Sequence, residues 1–422
     1  MNAATPVASV RPNHDTDKSA TRVDIAVLVS ALFLQRFSLP IGATALHLDF
    51  VAIGAILLYQ FLSGKLVIQY DRFLWFLLFA FATTCSLWLN FKSEMLTSFA
   101  QFAVLYWLFT LSRLSTPDQY KKTLQAFQFV LMLLSFLAIV QFPAQFVVDG
   151  RQLMNFYGIV PDFLFSDSSF GWKDNPQSLG NGLIKSNGLF LGEPSFLSQL
   201  TGLGILIEVL EFRRPRYLIV LALGFLLAYS GTGLMLLLVF LPIAGLRHGR
   251  AGLSALCVVM FALGLFATGI IDFSNFSSRV DEFDATRSSG FARFVSPFWV
   301  VAKQFDIEAL QALLVGSGPG TAKTVTNTWY GQADYMATWA KILREYGIIG
   351  SFILACFLAS CLRRSRCPGL VIAAMIFSWV FLQGIMTIII VLCTLNGSGP
   401  RCGRIDEASR YSPSLVAGSA AG

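Results

Sequence analysis

The sequence predicts an all-α polytopic membrane protein with about eleven transmembrane helices, in a range of about ten to twelve, and two long loops on one face. Three observations predict it. The chain is 55% hydrophobic and only 13% charged, with a mean hydropathy of +0.64, where an ordinary soluble domain carries about 25% charged residues. Apolar runs long enough to cross a bilayer recur along its length, and Lys and Arg gather in every second connection between them.

Met1–Arg22 is polar and contains Pro6, Pro12, Asp15 and Asp17, unlike the short apolar core of a cleaved leader, so the first apolar stretch is expected as a retained anchor after a cytoplasmic tail over 1–23. The expected spans are Asp24–Ile41, Leu46–Leu62, Phe73–Leu89, Met95–Leu111, Leu124–Val148, Phe196–Leu210, Tyr217–Ala228, Gly233–Leu246, Gly252–Ile271, Ile342–Ser360 and Gly369–Leu395. They form N-terminal (24–148), central (196–271) and C-terminal (342–395) groups, followed by a Gly- and Ser-rich tail over 396–422 with a disordered composition. The short pair around Ser230-Gly231-Thr232-Gly233 reads as two helices meeting at a tight turn. The count leaves the C-terminus outside, unless Gly369–Leu395 is two spans.

Charge orients the chain. Arg11, Lys18 and Arg22 precede the first span, and Lys65 and Arg72, Arg113 with Lys121 and Lys122, Arg213 with Arg214 and Arg216, Arg247 and Arg250, and Arg363 with Arg364 and Arg366 follow alternate later ones. The intervening short loops carry only Lys92. Short cytoplasmic loops accumulate Lys and Arg, so the N-terminus is expected in the cytoplasm and the long connections 149–195 and 272–341 on the outer face. Loops of that length inside a compact architecture carry function or disorder. The second includes the semi-apolar stretch Phe291–Val301, suited to an amphipathic helix at the interface.

Several function classes are disfavoured. The net charge of +7 is scattered through short loops rather than gathered in a nucleic-acid footprint. Of seven cysteines, Cys85, Cys257, Cys356 and Cys393 lie in apolar runs, and Cys361 and Cys367 lack further ligands at metal spacing, so reduced thiols and no metal site are expected. His14, His47 and His248 are dispersed. The ionisable residues in or near the spans include Arg36, Asp49, Glu208 and Glu211, which form no chain of acids for proton coupling. No inverted repeat of broken helices occurs.

The candidate site lies in the outer loops. Lys185-Ser186-Asn187-Gly188 leads through Gly192-Glu193-Pro194-Ser195 into a helix. Glu193 reads as a cap for the first helix amides or as a general base, a carboxylate held at a membrane face being suited to either. The second loop brings Arg279, Arg287, Arg293, Lys303 and Lys323 to a face where positive charge is otherwise avoided. They read as solvated surface or as an anion site, Arg having the fork geometry that phosphate oxygens match. Gly316-Ser317-Gly318-Pro319-Gly320-Thr321 lacks the Gly-Lys-Ser/Thr closure of a phosphate loop and reads as a tight turn.

Together these blocks resemble the O-antigen polymerase and ligase superfamily of bacterial envelope glycosyltransferases, and most of all the Wzy-type exopolysaccharide polymerases of the xanthan-polymerase kind. The resemblance rests on Asn187-Gly188 through Glu193-Pro194-Ser195, on Ser230–Gly233, and on Arg293 through Gly316–Gly320 to Glu345-Tyr346-Gly347-Ile348-Ile349-Gly350. It implies a GT-C-like architecture in the bacterial inner membrane and a metal-independent, cofactor-free inverting transfer. In that transfer a growing glycan leaves undecaprenyl diphosphate for an incoming lipid-linked oligosaccharide repeat. Glu193 and Arg293 would then be catalytic, with Arg279, Arg287 and Lys185 binding substrate; a chain-length regulator and a flippase are candidate partners. A flippase or exporter and an O-antigen ligase-type transferase are the alternatives. Against the ligase, Gln332–Trp339 contains no His, and Gly231 stands where the family often places Arg after the serine.

Overall fold

The computed structural model describes residues 14–41, 44–92, 95–113, 117–148, 164, 178–180, 183–247, 295–307, 310–322 and 338–363. The expected spans Gly252–Ile271 and Gly369–Leu395, the terminal tails over 1–13 and 396–422, and Arg279, Arg287, Arg293 and Lys323 lie outside the described residues.

The architecture is helical. Helices α1 (His14–Phe33), α2 (Leu48–Leu62), α3 (Tyr70–Leu89), α4 (Met95–Leu108) and α5 (Pro117–Ala144) are followed by α6 (Pro194–Ile207), α7 (Pro215–Ala228) and α8 (Gly231–Arg247). Further on come α9 (Ser296–Ile307), α10 (Leu310–Val315) and α11 (Thr338–Arg363). Among the described residues, four stretches are long and apolar enough to cross a bilayer: Tyr70–Leu89, Asp118–Ala144, Pro194–Phe212 and Trp339–Arg363. Their exposed faces carry Leu77, Phe81, Phe129, Phe136 and Phe352, which suits a hydrocarbon solvent. The protein is a polytopic membrane protein.

The first span departs from expectation at both ends. The α1 helix begins at His14 and stops at Phe33, and the apolar residues after it form a two-stranded hairpin, β1 (Ser38–Ile41) with β2 (Thr44–His47), Ser38 opposite His47. Short apolar runs suit a strand as well as a helix end, and hydropathy does not separate the two. The α6 helix ends in a π-helical turn, Glu208–Phe212. There buried Glu208 pairs with Arg214, whose guanidinium lies over the rings of Phe212 at 4.6 Å and Tyr217 at 3.6 Å.

Contacts sort the helix ends into two groups. Arg113 pairs with buried Asp24 and donates to Ala20 O. A strand β3 (Val67–Ile68) pairs with β4 (Leu111–Ser112), Arg72 reaches Phe109 O, and Cys361 lies beside the same carbonyl. This end carries the clustered basic residues. The α5 and α6 helices run antiparallel, since Gln128 donates to Gly204 O at 2.8 Å while Gln141, farther along α5, meets Asn187 before α6 starts. The Glu193 segment therefore lies at the end away from Arg113 and Asp24.

Candidate active site

The structure gives each of the three sequence blocks a distinct environment. The first, residues 184–195, is an extended segment and tight turn pressed onto the end of α5. Lys185, Ser186, Asn187 and Glu193 are all buried. Side chains on and just after α5 hold the segment: Gln145 Oε1 accepts from the Ile184 N–H at 2.7 Å, and Gln141 Oε1 accepts from the N–H groups of Asn187 and Gly188, each at 3.1 Å. The chain turns at Gly188 (φ 69°) and Leu189 (φ 66°). Gly188 is required here, because a Cβ would sit 2.9 Å from Leu134 O in a backbone conformation L residues rarely adopt. From the other side, Arg36 donates to Leu189 O at 2.8 Å, and Phe33 meets Phe190 edge-on at 4.7 Å between centroids.

Glu193 follows this turn as the residue before α6, with extended backbone (φ −139°, ψ 152°), and Pro194 opens the helix. Its side chain makes no capping hydrogen bond to the helix amides. The capping alternative is therefore set aside. The carboxylate instead accepts from Ser195 Oγ at 2.7 Å, and the residue is 6% exposed. A carboxylate seated by a hydroxyl, at the end of a turn fixed from two sides, has the geometry to take a proton in a set direction.

The second block meets the first. Ser230 sits in the two-residue break between α7 and α8, after Tyr229 in a left-handed conformation (φ 42°). Ser198, one turn into α6, donates to Ser230 O and accepts from the Gly233 N–H, both at 3.1 Å. Ser186 N–H donates to Leu227 O at 3.1 Å, and the Lys185 ammonium lies 5.6 Å from the Tyr229 ring centroid. The structure thus brings Lys185, Glu193 and the Ser230–Gly233 break onto one end of the α5–α8 bundle.

The third block serves a different purpose from a simple turn. Gly316, Gly318 and Gly320 have φ of 88°, 97° and 80°. The Ser317 and Gly318 N–H groups donate to Arg344 O and Glu345 O at 3.0 and 3.1 Å. These carbonyls are released because α11 breaks at Gly347 (φ 68°). The buried Glu345 carboxylate faces the N–H groups of Gly320 and Ala322, the place a phosphate would take in a phosphate loop. The loop is a clasp on the α11 kink, closed around the carboxyl group of Glu345. Asn90 Nδ2 donates to Gly316 O at 3.1 Å and Ser86 Oγ to Glu345 O at 2.7 Å, tying the clasp to α3.

Of the predicted site residues, Glu193 and Lys185 share an end of one bundle; Arg293, Arg279 and Arg287 fall outside the described residues. Ser296–Ile307 form the semi-apolar helix α9 after the first part of the expected stretch, with Val300 buried and Phe298 packed on Trp339 at 5.1 Å. Gln141, Gln145, Ser198 and Glu345 were given no role from sequence. Gln141 and Gln145, four residues apart near the end of a long apolar span, were the available signal for the first pair.

The fold and site define a polytopic membrane protein with a buried carboxylate and an ammonium beside a rigid turn at one end of its bundle. The chain matches the WcaD colanic acid polymerase family over residues 23–394, from the start of the first apolar segment to the end of the last, and it belongs to that family. A comparison with curated proteins finds no match. Membership bears out the resemblance to Wzy-type polymerases and makes the protein a glycosyltransferase-type polymerase of exopolysaccharide repeats.

Proposed function

We propose that the protein elongates exopolysaccharide at the outer face of the bacterial cytoplasmic membrane, with its N-terminus inside, by moving the growing glycan from undecaprenyl diphosphate to an incoming lipid-linked repeat. The observation that carries this reading is the seat of Glu193, a buried carboxylate turned toward Ser195 rather than spent on the helix amides. In the transfer step the acceptor hydroxyl oxygen bonds to C1 of the donor sugar and its proton passes to Glu193. The C1–oxygen bond to diphosphate breaks, undecaprenyl diphosphate leaves with the electron pair, and one in-line displacement inverts C1. Diphosphate needs positive charge rather than a protein acid as it departs, so guanidinium and ammonium groups suffice without metal. Lys185, Arg279 and Arg287 are assigned to holding it and Arg293 to neutralising the developing charge. A flippase would deliver the repeat and a chain-length regulator would limit growth.

Purified protein in vesicles of defined phospholipid, given a labelled lipid-linked repeat with EDTA present, should yield a ladder spaced by one repeat mass, still attached to undecaprenyl diphosphate and inverted at the new linkage. Movement of label across the bilayer with no mass change would establish the flippase reading instead, and product released from the diphosphate onto another acceptor the ligase one. Loss of a general base costs about 100- to 10,000-fold in rate. Full-length polymer from Glu193→Gln and Arg293→Ala proteins inserted normally in the membrane would overturn these assignments.

A further inference from the structure

We infer that Gln141 is a positioning residue for the transfer step, seating Glu193 from a helix that carries none of the recognised motifs; the inference rests on the general-base reading of Glu193. Gln141 is 4% exposed on α5, and Asn187 is completely buried. Their two carboxamides interlock. Gln141 Nε2 donates to Asn187 Oδ1 at 3.0 Å, while Gln141 Oε1 accepts from the backbone N–H groups of Asn187 and Gly188. The Asn187 side chain passes the constraint onward: its Oδ1 also accepts from the Leu189 N–H at 3.1 Å, and its Nδ2 donates to Leu191 O at 2.6 Å. Leu191 is two residues from Glu193, whose own backbone is held extended by the following Pro194. The path from Gln141 toward Glu193 thus runs through the hydrogen bonds of Asn187 as far as Leu191 O and then along the backbone, in a turn that Leu189 would not adopt unaided.

A glutamine inside an apolar span requires partners, and satisfying buried amides for stability alone would be the plainer role. Geometry argues for more. Gln141 engages the side chain and two consecutive N–H groups at the start of the turn, so it fixes both the position and the rotation of Asn187. Misplacing a reacting group by about 1 Å costs about 100-fold in rate, so loosening this turn should reach the chemistry even where the fold survives.

The test uses the full-length protein in vesicles, with Glu193→Gln, Gln141→Met, the double variant, and Leu124→Ala at the far end of α5 as a reference for packing loss. Gln141→Met keeps side-chain length and removes all three hydrogen bonds. Its kcat is expected to fall about tenfold or more with the KM for the labelled repeat within about twofold, and adding it to Glu193→Gln should produce no further loss, because residues acting through one group are non-additive. Leu124→Ala, compared at equal loss of Tm, should keep its kcat. Multiplied losses in the double variant, or an unchanged kcat in Gln141→Met, would overturn the inference alone. A wild-type rate in Glu193→Gln would overturn the general-base reading and the inference with it. Should Gln141→Met fail to accumulate, Gln141→Leu, which likewise removes all three hydrogen bonds, replaces it in the same cycle with the same expectations.

Discussion

Gly233 lies so close to Ser198 that a Cβ on it would sit 2.2 Å from Ser198 Oγ and 2.3 Å from Ser198 O. The α6–α8 crossing is therefore set by the absence of a side chain, and the same serine hydroxyl closes the helix break by bonding Ser230 O and the Gly233 N–H. One of the obstructing atoms is backbone, which cannot rotate away. Gly233→Ala should cost about 1–3 kcal/mol or more through overpacking, whereas at Gly202 a Cβ meets Gly233 O only at 3.4 Å and the methyl gains helix propensity, up to about 1 kcal/mol. Thermal unfolding in detergent compares the two; a Gly233→Ala protein as stable as Gly202→Ala would refute the close crossing.

The break at Ser230–Gly233 was legible in the sequence because Gly and Ser interrupt two apolar runs, but its partner was not, since Ser198 is remote in sequence and nothing local encodes which helix receives a bare glycine. The same limit applies at Asp24. A charged residue at the edge of an apolar run reads as the start of a span, yet Asp24 is fully buried well inside α1, its charge met by an arginine after α4. Alternation of basic connections was a stronger signal, being a property of the whole chain, and Arg72, Arg113 and Arg214 all fall at the end opposite Glu193. The Gly316–Gly320 clasp shows the limit most clearly: its glycines were visible, and the carboxyl group they close around, that of Glu345, comes from the next helix.

Arg36 was legible as a costly charge in an apolar stretch but without a role. Its donation to Leu189 O at 2.8 Å anchors a residue whose positive φ costs about 1–2 kcal/mol. Arg36→Ala should lower stability by about 1.5–3 kcal/mol, the range for a hydrogen bond from a charged group, and slow polymerisation because the turn before Glu193 loosens. Arg36→Lys should recover part of both, a single ammonium replacing a planar fork. Polymer length and Tm report the two effects, and an unchanged Tm in Arg36→Ala would remove the anchoring role.

At the clasp, a Cβ on Gly316 would lie 2.3 Å from Glu345 O, and one on Gly347 would lie 2.4 Å from Leu314 O. Both glycines also have positive φ. Left-handed strain of about 1–2 kcal/mol adds to overpacking of about 1–3 kcal/mol, so Gly316→Ala and Gly347→Ala should each destabilise the α10–α11 junction by about 3 kcal/mol. Gly54 on α2 has nothing within 4 Å of its would-be Cβ, and Gly54→Ala should be neutral or stabilising. Protease susceptibility in folded, detergent-solubilised protein distinguishes them: protection at the junction in Gly347→Ala equal to that in Gly54→Ala would show that the kink does not need glycine.

The Asp24–Arg113 pair joins α1 to the connection after α4, and Thr123 from α5 donates to the same carboxylate oxygen. With both ions buried, removing either partner leaves a charge that lipid and protein interior solvate poorly, at a cost of about 3–5 kcal/mol. Asp24→Leu and Arg113→Met should therefore each sharply reduce folded protein, while the double variant recovers much of the loss, because two apolar side chains in place of a buried pair are often tolerated. A double-mutant cycle on Tm measures the coupling. Losses that simply add would mean that each residue is held by its other contacts, Arg113 by Ala20 O and Asp24 by Thr123, and that the pair itself does not join the helices.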